Sequence, residues 1–530
     1  MYAVQTMKKI ITLAITLVLG FLLSVISCQN SKKETRASFA KDKLTLSTFD
    51  STLVAPFFDH YPELKKYQNE VVSLYQKQHY NYIWFDQKGI KEVGYLLYNK
   101  VSNLSSEGIS ATIPYQHQLD TIFQEEVSKQ EPEINSELLI SCMYFFYTDK
   151  VYKGLDIEKS TQLGWYLPRK KQSYVNYLDS IVANPSLIDK DEREVLGQYY
   201  RLREVLKKYR LIEKEPWNTI LFDSGITQLK MGDHSEAITQ IRNRLYLLGD
   251  VKSDSKSDFY DSTLAKGIEN YKKRNGLGDN MIISKSTLTH LNVPIADRIK
   301  TIIVNMERCR WFSSPFTTSK TFIFINIPAY QLRFFENGKP VLESKVVVGK
   351  AMNKTVVFSA DMKYIVFSPY WNVPKNILYK EVLPAIEKNP NYLSENDMEW
   401  YEGGIRQRPG PKNALGVVKF MFPNSNSIYL HDTPSKSLFN QEKRAFSHGC
   451  IRIEKPKELA HLILRNDKNW TFEKIENAMQ GGVEKWYALP QKIPVYIGYF
   501  TSWVTKDGTI HFYDDVYQRD ERLATMLLEE

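Results

Sequence analysis

The chain has 530 residues, 43% of them apolar and 25% charged, with a formal net charge of +9. That length is too great for one hydrophobic core and suggests about three domains. The positive charge is spread without a dense Lys/Arg block, which excludes the concentrated footprint of a nucleic-acid-binding protein.

At the N-terminus, Lys8 and Lys9 precede an apolar run over 10–26 and then Ser27-Cys28. A positive n-region, a short apolar core and a small residue describe a secretory signal, expected over 1–27. Val25-Ile26-Ser27-Cys28 resembles a bacterial lipobox, in which Cys28 carries lipid and becomes the mature N-terminus. The alternative is a signal-anchor helix, since the run is only slightly short of a bilayer span. Either way the remainder is expected in the cell envelope, facing the periplasm and tethered to a membrane. Residues 28–50, rich in Ser, Lys, Asn and Thr, read as a flexible tether. With Cys28 set aside, Cys142, Cys309 and Cys450 make no disulfide framework, although a Cys142–Cys309 bridge stays open.

Residues 51–215 have a helical pattern, with Leu64, Tyr67, Val71, Leu74 and Tyr75 at three- and four-residue spacing. Over 226–293 a second helical unit is expected. Asp233 and Glu236 suggest a capping box there, Ile238, Ile241 and Leu245 mark an apolar stripe, and Gly276 ends a second helix. From about 320 the period becomes strand-like, with β-branched and aromatic runs at 321–327, 332–335 and 346–348 and a tight Asn337-Gly338 turn. Short strands separated by turns argue for a β-sandwich or barrel-like sheet. The expected fold class is therefore α+β multidomain. A long interruption over 372–416 carries five prolines and Gly403-Gly404, and an insertion of that length inside a compact sheet is usually functional. Its composition disfavours regular strands, with one short helix expected over 377–386.

Near the end of this β region, Ile428-Tyr429-Leu430-His431-Asp432-Thr433-Pro434 is followed by Phe446-Ser447-His448-Gly449-Cys450-Ile451-Arg452. Cysteine reacts as the thiolate, and a nearby imidazole both helps form it and supplies the leaving group's proton. Zinc held by His431, His448 and Cys450 is the competing chemistry. No Cys-x-x-Cys or His-Glu-x-x-His pair accompanies them, so neither a metal nor another cofactor is expected. A papain-like protease would carry a different local signature around its cysteine.

The order histidine, spacer, Ser/Thr-His-Gly-Cys, hydrophobic residue, Asn or Arg resembles the signature of L,D-transpeptidases with a YkuD-type catalytic domain. Arg406-Gln407-Arg408-Pro409-Gly410-Pro411, Asn413-Ala414-Leu415-Gly416, Asn305-Met306-Glu307-Arg308 and Tyr513-Asp514-Asp515-Val516-Tyr517 resemble the YcbB-like group of that family. More diffusely, Tyr82-Ile83-Trp84-Phe85 resembles its N-terminal scaffold region. The unit at 226–293 resembles a three-helix peptidoglycan-binding domain, with Met281-Ile282-Ile283 in place of the usual glycine-rich turn. The resemblance implies a helical scaffold over 51–215, a β-sandwich-like catalytic domain over 300–480 with a lid at 372–416, and a C-terminal extension over 481–530. It further implies Cys450 as nucleophile and His431 as general acid/base, oriented by a backbone carbonyl for which Asp432 is the candidate. Ser447, His448 and Gly449 would support the turn or the substrate. Arg452 would either hold a carboxylate of the substrate or serve as a structural ion-pair partner. Peptidoglycan stem peptides are the implied partner, and 3-3 cross-linking through a thioester is the implied reaction. An L,D-carboxypeptidase, a cross-link hydrolase and a non-catalytic wall-anchoring lipoprotein are the alternatives.

Overall fold

The computed structural model describes residues 48–124, 133–169, 173–184, 187, 196–312 and 319–528. The signal, most of the tether and Cys28 lie outside the described residues. The tether ends before its expected limit of 50, because Phe49 is an aromatic anchor rather than linker: its ring lies 4.9 Å from that of Tyr75 and 5.4 Å from that of Tyr82.

In the N-terminal half, α1 (Ile134–Thr148) is apolar on all sides and buried from Glu137 onward, as a central helix must be. Its one buried carboxylate, Glu137, accepts the Tyr75 hydroxyl at 2.7 Å and the backbone N–H groups of Ile83, at 2.5 Å, and Trp84, at 3.1 Å. Ser141, one turn on, accepts the Trp84 indole N–H at 2.7 Å. The Tyr82-Ile83-Trp84-Phe85 segment is thus fixed by polar groups inside an apolar helix. Next comes α2 (Gln198–Ile212).

The unit that follows comprises α3 (Glu236–Leu248), α4 (Ser262–Arg274) and α5 (Lys285–Leu291) around its own core of Ile238, Ile241, Leu264 and Ile268. Its first helix is not capped by Asp233. Ser235 has the extended backbone of an N-cap and accepts the Ala237 N–H at 3.1 Å, whereas Asp233 turns back to the Lys230 N–H. Leu229 and Ile283 meet in a two-stranded ladder, which accounts for the apolar residue at 283, whereas Met281 and Ile282 are exposed.

Helix α6 (Ile295–Trp311) joins the halves and is buried from Ile302 to Trp311. Glu307 accepts the Leu155 N–H at 2.6 Å and the Trp311 indole at 2.7 Å, and pairs with Arg310 at 2.7 Å. Asn305 accepts the Thr501 N–H at 2.9 Å, and Arg308 pairs with Asp520 at 2.7 Å. The Asn305-Met306-Glu307-Arg308 motif is therefore the joint between the scaffold, α6 and the C-terminal segment. One continuous apolar core runs through all three.

The sheet is built from β1 (Thr321–Asn326), β2 (Gln331–Glu336), β3 (Lys339–Gly349), β4 (Phe358–Phe367), β5 (Trp371–Asn372), β6 (Met398–Tyr401), β7 (Gly404–Gln407), β8 (Val418–Met421), β9 (Leu430–His431), β10 (Ala445–Ser447), β11 (Ile451–Ile453) and β12 (Lys485–Gly498). The main sheet runs β10-β3-β11-β9-β8-β4-β12-β1-β2, and β2 pairs again with β3, so the hydrogen bonding closes on itself. β5, β6 and β7 form a separate antiparallel sheet within the insertion. The boundary expected at 480 is corrected by β12. This strand lies between β4 and β1 and buries Val495 and Ile497, so the sheet cannot close without residues assigned to an extension. Beyond it, α7 (Asp520–Leu528) packs on α6.

The insertion is more regular than its composition suggests. Residues 375–388 are helical through a π-turn at Leu378–Val382, followed by the β6–β7 hairpin. Pro374 sits at the helix N-cap, and Glu402 and Gly403, both with positive φ, make the hairpin turn. The prolines and glycines therefore fall mostly at element ends, where they do no harm. Val373, Ile377, Val382, Met398 and Ile405 give the insertion a small core of its own.

Candidate active site

Strand register brings the site together. β9 runs parallel to β11 with His431 opposite Arg452, and antiparallel to β8 with His431 opposite Lys419. Side chains directly opposite share a face, and so do residues two apart on one strand. Lys419, Tyr429, His431, Cys450 and Arg452 therefore lie on one face. Phe420, Leu430, Ile451 and Ile453 lie on the other, fully buried in the core. Two segments about twenty residues apart in sequence become neighbours because β9 and β11 are hydrogen-bonded.

The His431 ring is buried, and its Nδ1–H donates to the Asp432 carbonyl at 2.5 Å, leaving Nε2 as the free acceptor. The Asp432 carboxylate acts elsewhere: it accepts the Val417 N–H at 3.0 Å and pairs with Lys436 at 2.5 Å. Gly416 has φ +62°, and a Cβ there would lie 2.2 Å from Asp432 Oδ2. The end of the Asn413-Ala414-Leu415-Gly416 motif is thus shaped to receive the residue whose carbonyl orients the histidine. Burial, with the charges of Arg452 and Lys419 nearby, pushes His431 down to about 3.

The Cys450 thiol donates to the Ser427 carbonyl at 3.6 Å. Burial pushes it up, opposed by hydrogen bonds from Tyr429 and by the charges of Lys419 and Arg452. The turn before it is held by Ser447, whose hydroxyl donates to the Cys450 carbonyl at 2.5 Å and accepts the Gly449 N–H at 3.2 Å. Gly449 has φ +120°, a conformation that a side chain would strain. Its carbonyl accepts the Thr355 hydroxyl at 2.8 Å, and Thr355 in turn donates its N–H to Tyr517, whose own hydroxyl donates to the Gly349 carbonyl. The Gly449 N–H is taken by Ser447, whereas the His448 and Cys450 N–H groups have no acceptor among the described residues.

His448 is directed away from the histidine–cysteine pair, with Nε2 2.8 Å from Glu381 Oε1 on the π-turn of the insertion. The insertion thus touches the turn that carries Cys450. Arg452 has no ion-pair partner among the described residues and a buried Nε without a hydrogen bond. Cys142, Cys309 and Cys450 are all free, so the Cys142–Cys309 bridge is not formed. Among the described residues, no group of three His, Cys, Asp or Glu side chains is placed to hold a metal. Sequence reasoning missed Tyr429 and Lys419. Tyr429 was accessible through its two-residue offset from His431, but Lys419 needed the β8–β9 register.

A parallel pair of strands carrying a histidine and a cysteine on one face, with an ordered turn before the cysteine, defines a site suited to nucleophilic acyl transfer. Comparison with known proteins narrows the class. Residues 320–476 match the L,D-transpeptidase catalytic domain, YkuD, and residues 69–206 match the Scaffold domain. A Haemophilus influenzae protein provisionally named an L,D-transpeptidase is 32% identical over 222 residues, or 38% of this chain and 45% of that protein. The chain thus spans less than half the length of this curated relative. Solved structures with partial likeness include an L,D-transpeptidase from Mycobacterium smegmatis, at 12% identity over 34% of this chain and 58% of that one, TM-score 0.20. Another is the L,D-transpeptidase of Stackebrandtia nassauensis, at 14% identity over 52% and 97%, TM-score 0.23. Superpositions this loose carry no weight beside the two domain matches. The chain thus carries a match to the Scaffold domain followed by a match to the YkuD L,D-transpeptidase catalytic domain.

Proposed function

We propose that the protein is a peptidoglycan L,D-transpeptidase that forms 3-3 cross-links through a thioester on Cys450. The observation that carries this reading is the shared face of Cys450 and His431, with the imidazole held by the Asp432 carbonyl so that Nε2 is free to take a proton. The thiol proton passes to Nε2 as Sγ bonds to the carbonyl carbon of the third stem residue. The C–N bond then breaks, and the departing D-alanine nitrogen takes the proton from Nε2. An amine of a second stem next attacks the thioester, giving its proton to His431, which returns it to Sγ as the C–S bond breaks. Both tetrahedral oxyanions need a fixed donor, for which the free Cys450 N–H is the candidate.

The insertion, touching the Cys450 turn through Glu381 and His448, would act as a lid that shields the thioester from water and favours amine acceptors. The N-terminal Val25-Ile26-Ser27-Cys28 supports a lipid anchor in the envelope, close to this polymer substrate. Incubation with purified tetrapeptide muropeptides and mass spectrometry of the products tests the reading. The expected result is cross-linked dimers with released D-alanine, both lost in Cys450→Ala. Hydrolysed tripeptide stems alone would instead make the protein an L,D-carboxypeptidase.

A further inference from the structure

The face that carries Cys450 and His431 also carries two cations that make no direct ion pair among the described residues. Lys419 stands directly opposite His431 in the β8–β9 ladder. Its ammonium lies 4.9 Å from the Tyr429 ring centre and 5.7 Å from that of Trp486, and among the described residues it forms no ion pair. Arg452 stands opposite His431 on the other side, half-buried and equally unpaired. The surrounding carboxylates are held by other groups, and Glu484 acts on Lys419 through its field rather than by a direct ion pair. Glu484 accepts the Tyr370 N–H at 2.9 Å and the Trp486 indole at 3.0 Å, Glu381 is held by His448, and Asp432 by Lys436 and the Val417 N–H. Holding two positive charges partly out of water beside a reacting thiol, with no carboxylate in direct contact, is costly, and a ligand carboxylate would offset that cost.

We propose that Lys419 and Arg452 form a carboxylate subsite flanking the thiol, which selects acyl donors by a free carboxylate close to the scissile bond. The proposal rests on the transpeptidase reading for the identity of the donor, but not for the existence of the subsite. Two carboxylates of a stem peptide would satisfy it: that of the terminal D-alanine, or one on the side chain of the third residue. The arrangement also couples recognition to chemistry. The same two cations oppose a proton on His431, and a bound carboxylate neutralises them, so that the imidazole becomes a stronger base when the donor is seated.

Two measurements test this. The first needs no turnover: the rates at which iodoacetate and iodoacetamide alkylate Cys450, at fixed pH and low salt, read by peptide mass spectrometry. The carboxylate reagent is expected to gain on the neutral one relative to free cysteine, and the gain should shrink in Lys419→Met and return in Lys419→Arg. The methionine keeps the apolar stem between the two rings, and unchanged thermal unfolding of each variant shows that the fold is kept. Arg452→Met provides a second, independent variant. The second measurement is single-turnover acylation by a tetrapeptide donor, its C-terminal amide, and a donor neutral at the third side chain. A salt-linked preference for the carboxylate form of about ten- to a hundredfold is expected for one of them, identifying which carboxylate binds. A wild-type protein that alkylates with equal relative rates and acylates all three donors alike would overturn the subsite. So would a Lys419→Met variant slowed equally toward charged and neutral reagents, since the lysine would then only tune the thiol. A retained iodoacetate preference without stem-peptide turnover would overturn the transpeptidase reading and leave the subsite standing.

Discussion

The resting histidine and cysteine should be neutral, and replacing His431 with alanine makes this measurable. Burial and two nearby cations push His431 down to about 3, and burial pushes Cys450 up. At pH 7 the imidazolium is then roughly one part in ten thousand of the free protein, at a factor of ten per pH unit. The thiol's contact with the Ser427 carbonyl requires its proton, which agrees with a neutral pair. Iodoacetamide should therefore alkylate Cys450 with a rate that climbs about tenfold per pH unit through neutrality, with no plateau between pH 5 and 8. Cys142 and Cys309 are fully buried and their thiols are pushed up by burial, so peptide mass spectrometry can follow Cys450 without interference from them. His431→Ala should leave that profile nearly unchanged, because the base is not yet at work in the free protein. With a stem-peptide donor the same variant should lose about a hundred- to ten-thousandfold in acylation rate, the usual worth of general acid–base help. His448→Ala should lose less, since that ring faces Glu381. A pH-independent plateau of alkylation in the wild type that disappears in His431→Ala would refute the reasoning, because it would reveal a thiolate–imidazolium pair at rest.

Four further outcomes follow from the geometry. Burial pushes Glu137 up from 4.5 to about 7, so the folded protein binds the extra proton between those values and its stability is greatest below 4.5 and falls as pH rises to 7. The change is about 3 kcal/mol, and denaturant unfolding of the scaffold region should show it in the wild type and lack it in Glu137→Gln. Gly416→Ala places a Cβ against the Asp432 carboxylate at positive φ and should cost about 1–3 kcal/mol in stability as well as slowing acylation; wild-type values for both would contradict the role given to Asp432. Tyr517→Phe leaves the buried Thr355 N–H without its acceptor, at a cost of about 1–3 kcal/mol, and should lower kcat with little change in KM by loosening Gly449. Replacing 375–412 with a short Gly/Ser linker should leave the main sheet folded but shift products from cross-link to hydrolysed stem, and an unchanged product ratio would remove the lid.

Legibility in the sequence followed the range of the interactions. The helical N-terminal half, the strand-rich C-terminal half and the Ser447-His448-Gly449-Cys450 turn are local patterns of period or composition, and they were readable as such. The cap at Ser235 rather than Asp233 was misread because both lie in one short polar run, where only backbone φ and ψ decide which side chain turns inward. The boundary at 480 was misplaced because β12 mixes prolines and charged residues with its apolar ones, and only its pairing with β4 and β1 shows that it completes the sheet. The insertion misled in the opposite sense: its prolines and glycines suggested irregularity, yet most of them, Pro384 apart, mark the ends of elements.

What the sequence alone cannot give is the register, and in this protein register determines the site. His431 and Cys450 announce themselves through their motifs, but Lys419 belongs to no motif and lies twelve residues before His431 on a strand whose partner is not evident. Moving β8 by one residue against β9 would place Phe420 on the reacting face and send the ammonium into the core. Burial on the far face forbids this, because Val418 and Phe420 are both fully enclosed. The packing of the sheet therefore fixes the electrostatics of the thiol. A core substitution that altered the β8–β9 pairing, far from any reacting atom, should change alkylation of Cys450 as strongly as removing Lys419 itself.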